Sequence, residues 1–331
     1  MLNLNFKDKN LGIVKKFWVF VIISAVIILA GLVDMFFVRH MNFGVEFSGG
    51  TSVEIEYDGV TKDALDTAVA KYFTDNGYVV DGEPQSSSAN GVNYRTYRLK
   101  QEISKEDKAT FDGNTKTALK EAFDAVDNDS IVFEVTSHTI GNEVKNRIVR
   151  NAIIAVAVAV VVILGYIAVR FNLLAGVSAV IALLHDVLIM FALTTLFQIP
   201  VNMTFIAAVI TIIGYSINAT IVVFDRIREE VVLPSNFEKT DAEIAEDSVK
   251  STMSRSILTT LTTLVMIVCL AIFGNASIRD FAFPIIFGLV AGLYSSVLLS
   301  ASTWVNLRKL FKQENKKPVK KIKKVKEQVK A

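Results

Sequence analysis

Four groups of polar or small residues interrupt apolar stretches of this chain, and three of them could handle an ion at membrane depth. Through Gly214-Tyr-Ser-Ile-Asn-Ala-Thr-Ile-Val-Val-Phe-Asp-Arg-Ile-Arg228 and just before it, Thr211, Tyr215, Asn218 and Asp225 recur at helical spacing and share one face. His185-Asp186 falls in the middle of another apolar stretch. A carboxyl there is expensive, and it reads equally as a functional group or as a buried pair bonded to Ser, Thr or Tyr of neighbouring helices. Arg255, Thr259, Thr262 and Met266 form a third stripe. Arginine keeps its charge, so Arg255 must snorkel to the surface or meet an anion, and the hydroxyls that continue its face favour a hydrated groove. The last group, Gly288, Gly292, Ser296 and Ser300, has the spacing of small side chains that lets helices approach closely; it reads as helix contact rather than chemistry. With no water to bond at such depth, the polar groups must face other helices or a wet cavity.

Those groups need membrane helices to position them. The chain has 331 residues and 52% hydrophobic content, with a mean hydropathy of +0.43, values that suit a polytopic membrane protein. Six stretches can cross a bilayer at about 20 residues each: Phe17–Val38, Val149–Val169, Leu173–Phe197, Val201–Phe224, Ser256–Phe273 and Phe281–Val305. The first follows Lys15-Lys16, but it is too long for a signal core. Asp34-Met-Phe-Phe-Val-Arg-His follows it in place of a small-residue cleavage site, so it is expected to stay as a span. Basic loops orient the chain. With residues 1–16 in the cytoplasm, Lys7, Lys9, Lys15, Lys16, Arg170, Arg226, Arg228 and the tail all lie inside, which outweighs Arg39, Lys145, Arg147 and Arg150 on the outer side. Both termini are then cytoplasmic.

The tail, Arg308–Ala331, carries eleven Lys/Arg against two Glu. It reads as a topology anchor that also touches anionic lipid. Beyond Phe311 no aromatics are interleaved with its lysines to stack on bases, so nucleic acid is not an expected partner. Residues 226–255 hold Glu229, Glu230, Asp241, Glu243, Glu246 and Asp247 and read as a cytoplasmic amphipathic segment lying on the surface. The lone Cys269 has no partner within the chain, so it fixes neither a disulfide nor a redox compartment.

Between the first two spans, residues 42–147 are too long for a simple loop. Thr51–Tyr57 alternates like a strand, and Thr61–Thr74 places Ala64, Leu65, Val69 and Phe73 at helical spacing. Tyr78–Asp81 and Tyr94–Leu99 read as strands with Glu83–Asn90 as a loop between them. Lys105–Val126 reads as a helix with Leu119, Ala122, Phe123 and Val126 on one face and a break at Gly113-Asn114, and Ile131–Val135 reads as a closing strand. The order β-α-β-β-α-β predicts a ferredoxin-like α+β domain outside the membrane. A disordered loop would lack these periodic apolar positions.

No hydrolytic machinery is present. GxxxxGK[ST], HExxH and GxSxG are all missing, so no enzyme of those classes, no metal and no cofactor is expected, and any driving energy must come from an ion gradient or a partner.

Several motifs together resemble the SecF side of the SecD/SecF family of the resistance-nodulation-division superfamily. Asn42-Phe-Gly-Val-Glu-Phe-Ser-Gly-Gly-Thr51 is similar to the family's NFGIDFTGGT, with Glu46 for Asp and Ser48 for Thr. Ala182-Leu-Leu-His-Asp-Val-Leu-Ile189 resembles its third-span motif, and Gly214–Glu229 resembles GYSINDTVVVFDRIRE. Ser254-Arg-Ser with Thr259-Thr-Leu-Thr-Thr-Leu264, Ile278-Arg-Asp-Phe-Ala-Phe283 and Gly292-Leu-Tyr-Ser-Ser296 match further segments, so the likeness runs from about Phe17 to Val305. It implies six spans paired with six from a SecD subunit. It also implies action beside the SecY/SecE/SecG channel on exported polypeptide chains, driven by the proton motive force. Two departures stand out. Ile140-Gly141-Asn142 replaces a VGP turn, and Ala219 replaces the motif's Asp. Since the resemblance places functional polar groups at Arg255 and at the position of Ala219, the titrating acid is missing here. It could come from SecD opposite Arg255, or Asp186 or Asp225 could substitute, or coupling could use another ion or be lost. The first is the expectation. The rival readings are a small-molecule efflux transporter of the same superfamily, disfavoured by length, and a non-conducting scaffold for SecD.

Overall fold

The structure, a computed structural model, describes residues 12–89, 91–123 and 132–312. In chain order, α1 (Phe17–Val33) runs into a π-helical turn at Asp34–Val38 and is followed by a short α2 (Val45–Ser48). Then come β1 (Gly50–Asp58), α3 (Lys62–Asp75), β2 (Gln85–Ala89), β3 (Val92–Leu99), α4 (Lys108–Phe123) and β4 (Val132–Ile140). The rest is helical: α5 (Asn142–Arg170), α6 (Leu173–Leu196), α7 (Met203–Val232), α8 (Asp241–Phe273), α9 (Ala276–Tyr294), a π-helical segment at Ser295–Ser300, and α10 (Ala301–Leu310). Among the described residues, six helices are long and apolar enough to cross a membrane.

Small residues set the closest contacts between these helices. A side chain at Gly31 would place its first carbon 2.4 Å from the Ala192 Cα, and one at Gly288 would come 2.4 Å from Ile212. At Gly292 the same carbon would lie 3.3 Å from the Ser216 Cβ. Without side chains at these points, α1 lies against α6 and α9 against α7 at backbone distance, the arrangement small residues permit in membranes. α1 and α5 are peripheral and turn Trp18, Phe36, Val158, Val161 and Val162 outward.

The polar helix ends correct one expectation. Residues 226–255 are not a separate surface-lying segment. Arg226 pairs with Glu229 and Glu230 and extends α7, and a Thr240–Glu243 capping box starts α8 well before its apolar part. Ile227, Ala245, Val249 and Met253 on these extensions are buried with Trp304 and Val305. Hydropathy reports where the greasy part ends; the helices continue because their apolar face still has something to cover.

Between the first two spans, four antiparallel strands pair in the order β2-β3-β1-β4. One face buries Val53, Ile55, Tyr97 and Leu99 against Leu65, Val69 and Phe73 of α3 and Phe111 and Leu119 of α4, as strand alternation and helical spacing dictate. Beneath that face, buried Arg95 donates to both Asp66 oxygens at 2.8 and 2.6 Å, and Tyr97 donates to Oδ1 at 2.6 Å. Partial burial works against the Asp66 charge, but these donors outweigh it and hold the carboxyl below its ordinary range.

Two details differ from the sequence expectation. Tyr78–Asp81 makes only an isolated bridge, Val80 to Leu99, while Gln85–Ala89, inside the expected loop, is the edge strand. An edge strand needs only its neighbour's backbone, so this polar run carries no apolar alternation to betray it. The helix α4 also runs unbroken through Gly113-Asn114, both exposed, where no side chain is needed. Val126, Ile131 and most of the basic tail lie outside the described residues.

The sheet is fastened to the bundle at one corner. Gly44 N donates to Val201 O at 2.9 Å and Val201 N to Asn42 O at 2.8 Å. Arg98 donates to Phe43 O. Arg39 grips Asp34 with two bonds of 2.9 and 3.1 Å and also reaches Leu196 O at 2.9 Å, tying α1 to the end of α6. Gly49 and Gly50 have φ of +78 and +96°, and a side chain at Gly50 would strike Leu99 O at 2.2 Å, so only glycine fits there. Beside this corner β4, whose Ile140 pairs with Gly50, passes into α5 with Gly141 as the sole intervening residue. Sheet and bundle enclose between them a cavity of about 850 Å³ lined in part by Gln85, Arg98, Gln198 and Asp280.

Candidate functional site

The bundle carries two polar sites at membrane depth, one closed and one open. The closed site is centred on Asp186, which is fully buried. Its Oδ1 lies 2.9 Å from His185 Nδ1, and its Oδ2 accepts from Ser216 and, at 2.8 Å, from Ser295. The His185 Nε2 lies 2.7 Å from Ser24 Oγ, and Ser24 donates to Phe20 O at 3.1 Å. Tyr294 stacks on the His185 ring and donates to the same Phe20 O at 2.7 Å. The cluster therefore joins α1, α6, α7 and the point where α9 gives way to π-helical turns. Such turns leave a backbone register that only local compensation supports, and they recur at functional positions. The sequence marked His185 and Asp186, but Ser216, Tyr294 and Ser295 stood out only as members of wider motifs and Ser24 only as a lone hydroxyl in an apolar stretch.

The open site runs along α7 and α8. Thr211, Gly214 and Asn218 are exposed on α7, with Tyr215 and Ala219 half-buried beside them. On α8, Arg255, Thr259, Thr262 and Met266 are all exposed. Tyr215 Oη reaches Thr260 Oγ1 at 3.4 Å between the two helices. Consecutive antiparallel helices turn in opposite senses about that contact, so the two stripes open to the same side. Thr211, Thr259 and Thr262 each donate at 2.8 Å to carbonyls of their own helix, Ala207, Arg255 and Thr259. Among the described residues no carboxylate forms an ion pair with Arg255. Asp225, on the same helix as the α7 stripe, is occupied: Arg170 donates to its two oxygens at 2.8 and 3.0 Å. Gly288, Gly292 and Ser296 stay out of both sites' chemistry. The glycines face α7, and buried Ser296 donates to Leu293 O on its own helix at 3.1 Å. Ser300 likewise donates back to Ser296 O at 2.7 Å.

Two family descriptions match the chain: "Protein export membrane protein SecD/SecF, C-terminal" over residues 118–310, and "SecD/SecF GG Motif" over residues 35–59. The second contains the Gly49-Gly50 corner. The chain is 34% identical over 308 residues to the protein translocase subunit SecF of Sebaldella termitidis, covering 93% of this chain and 94% of the relative. It is 33% identical to the protein translocase subunit SecDF of Bacillus subtilis, covering 86% of this chain but 36% of that longer one. The crystal structure of SecDF from Thermus thermophilus, a translocon-associated membrane protein, superimposes with a TM-score of 0.72 at 27% identity, over 93% of this chain and 40% of that one. The chain thus spans about two fifths of the SecDF structure it matches. On these matches and on its own six apolar helices, this multi-pass membrane protein belongs to the SecD/SecF family of protein-export membrane proteins.

Proposed function

We propose that the chain is the SecF-side half of a two-part assembly. Its open α7–α8 face would seat a SecD-type partner, and the pair would assist export of polypeptides through the SecY/SecE/SecG channel at the expense of an ion gradient, the proton motive force. The observation that carries this reading is Arg255, an always-charged group on an exposed polar stripe that forms no ion pair with a carboxylate among the described residues. The family's acid position nearby is Ala219, so the compensating anion comes from the partner. The fusion of both halves in relatives such as the Bacillus subtilis SecDF supports a partner at that face.

In this arrangement the four-stranded sheet with its two helices is a ferredoxin-like domain on the outer side of the cytoplasmic membrane. Both termini lie in the cytoplasm, and the basic tail rests on anionic lipid. Asp225 does not replace the missing acid, because Arg170 neutralises it.

The test is an Arg255→Gln variant co-expressed with the SecD-type partner. Export stimulation that depends on the ion gradient is expected to vanish while the two subunits still co-purify. Full, still gradient-dependent stimulation by the variant would overturn the shared-site reading. Stimulation that persists in the native pair after the gradient is collapsed would favour the scaffold reading, for which Ala219 is the specific argument.

A further inference from the structure

The hydrogens of the Asp186 cluster can be counted, and among the solutions two differ in the direction of the Ser24 hydroxyl. Ser24 owns a single hydroxyl hydrogen, yet its oxygen lies 2.7 Å from His185 Nε2 and 3.1 Å from Phe20 O. A carbonyl can only accept, whereas an imidazole nitrogen donates or accepts according to its tautomer, which the surrounding bonds decide. In the first solution Ser24 donates to Phe20 O, so Nε2 must carry hydrogen and donate to Ser24. The 2.9 Å contact between Nδ1 and Asp186 Oδ1 then needs a further proton between them, because two bare lone pairs would repel. In the second, the Ser24 hydroxyl turns to donate to Nε2, and Nδ1–H donates to an ionised Asp186. Phe20 O keeps a donor, Tyr294, in either case.

The two solutions differ by one proton and by the rotation of one hydroxyl, with every heavy atom in place. We infer that His185 and Asp186 together form a proton-binding site within this chain, loaded and unloaded through Ser24 and separate from the α7–α8 face. The loaded form has no net charge. The unloaded form leaves one negative charge at mid-span, where hydroxyl donors from Ser216 and Ser295 already point at Oδ2. The groups facing the pair are Ser24 and Phe20 O from α1, Ser216 from α7, and Tyr294 and Ser295 from the last span; α6 itself contains no other ionisable residue. The site stands or falls without reference to Arg255.

The experiment uses the full chain with its partner subunit in lipid bilayers, with histidine labelled by ¹⁵N. Three histidines are present, His40, His138 and His185, and a His185→Gln sample identifies the signal by subtraction. Raising the pH should change the His185 Nε2 from hydrogen-bearing to bare, with release of one proton per chain. Asp186→Asn should remove both the change and the released proton. Ser24→Ala, at the rim of the cluster, should leave the protein folded and displace the pH at which Nε2 changes, since the hydroxyl that partners this nitrogen in both forms is gone. A native Nε2 signal that stays in one state wherever the protein remains folded would overturn the proposal. So would a proton release unchanged in Ser24→Ala and Asp186→Asn.

Discussion

Around Asp186 each carboxylate oxygen and each ring nitrogen of His185 has a partner in the same chain, whereas the Arg255 stripe bends its hydroxyls back onto its own helix and leaves the guanidinium facing outward. Both sites are polar and both sit in apolar helices. The difference is completeness. A closed cluster is assembled by folding, because every group that reaches it comes from helices α1, α6, α7 and α9 and the π-helical segment after α9. An open stripe cannot be assembled by this chain, and its chemistry belongs to whatever covers it.

That contrast can be broken in four ways. Removing the carboxylate with Asp186→Ala takes the acceptor from Ser216 and His185 in a buried setting and leaves Ser295 only Gly292 O, at 3.3 Å. Loss of one member of such a set costs about 3–5 kcal/mol, which thermal unfolding in detergent or nanodiscs would report. Gly288→Ala tests the wall beside the closed cluster, since its new carbon meets Ile212 at 2.4 Å. Overpacking of this kind costs about 1–3 kcal/mol, and the same unfolding assay reads it.

The sheet supplies a third comparison, a charged cluster in water rather than lipid. Asp66 is held below its ordinary range, so its contribution to stability is full above the unfolded value of about 4 and is lost as pH falls through the lower folded value. Acid melting of the sheet domain, followed by near-ultraviolet circular dichroism, should therefore flatten in Asp66→Asn. The smallest change in stability is expected at the open stripe. Arg255→Gln should shift unfolding of the isolated chain by no more than about 0.5 kcal/mol although it abolishes coupling. A large destabilisation there would mean that the open stripe is already part of the chain's own core.

Much of this molecule was legible in the sequence because the bilayer and the sheet impose simple periods. Apolar length located the six spans, and alternation located β1 and β3. What could not be read was set by partners far along the chain. Gln85–Ala89 is a strand because β3 offers it a free edge, and nothing in Gln-Ser-Ser-Ser-Ala says so. Ser24 and Ser295 lie 161 and 109 residues from the pair they serve, a separation that no local spacing rule spans. Conversely, the common face of Arg255, Thr259, Thr262 and Met266 was legible, since which residues share a helical face depends only on that helix.

The junction of β4 and α5 has a mechanical consequence. A single residue, Gly141, separates a strand hydrogen-bonded along its length to β1 from a helix of 29 residues that reaches Arg170. No slack exists there to absorb rotation, and the corner at Val201 lies beside the junction, at the same Gly50 end of β1. Any rocking of the sheet domain into the adjoining cavity must therefore emerge as tilt of α5, a peripheral helix with few neighbours to resist it. Torque applied outside the bilayer is delivered inside it as the sweep of one long arm.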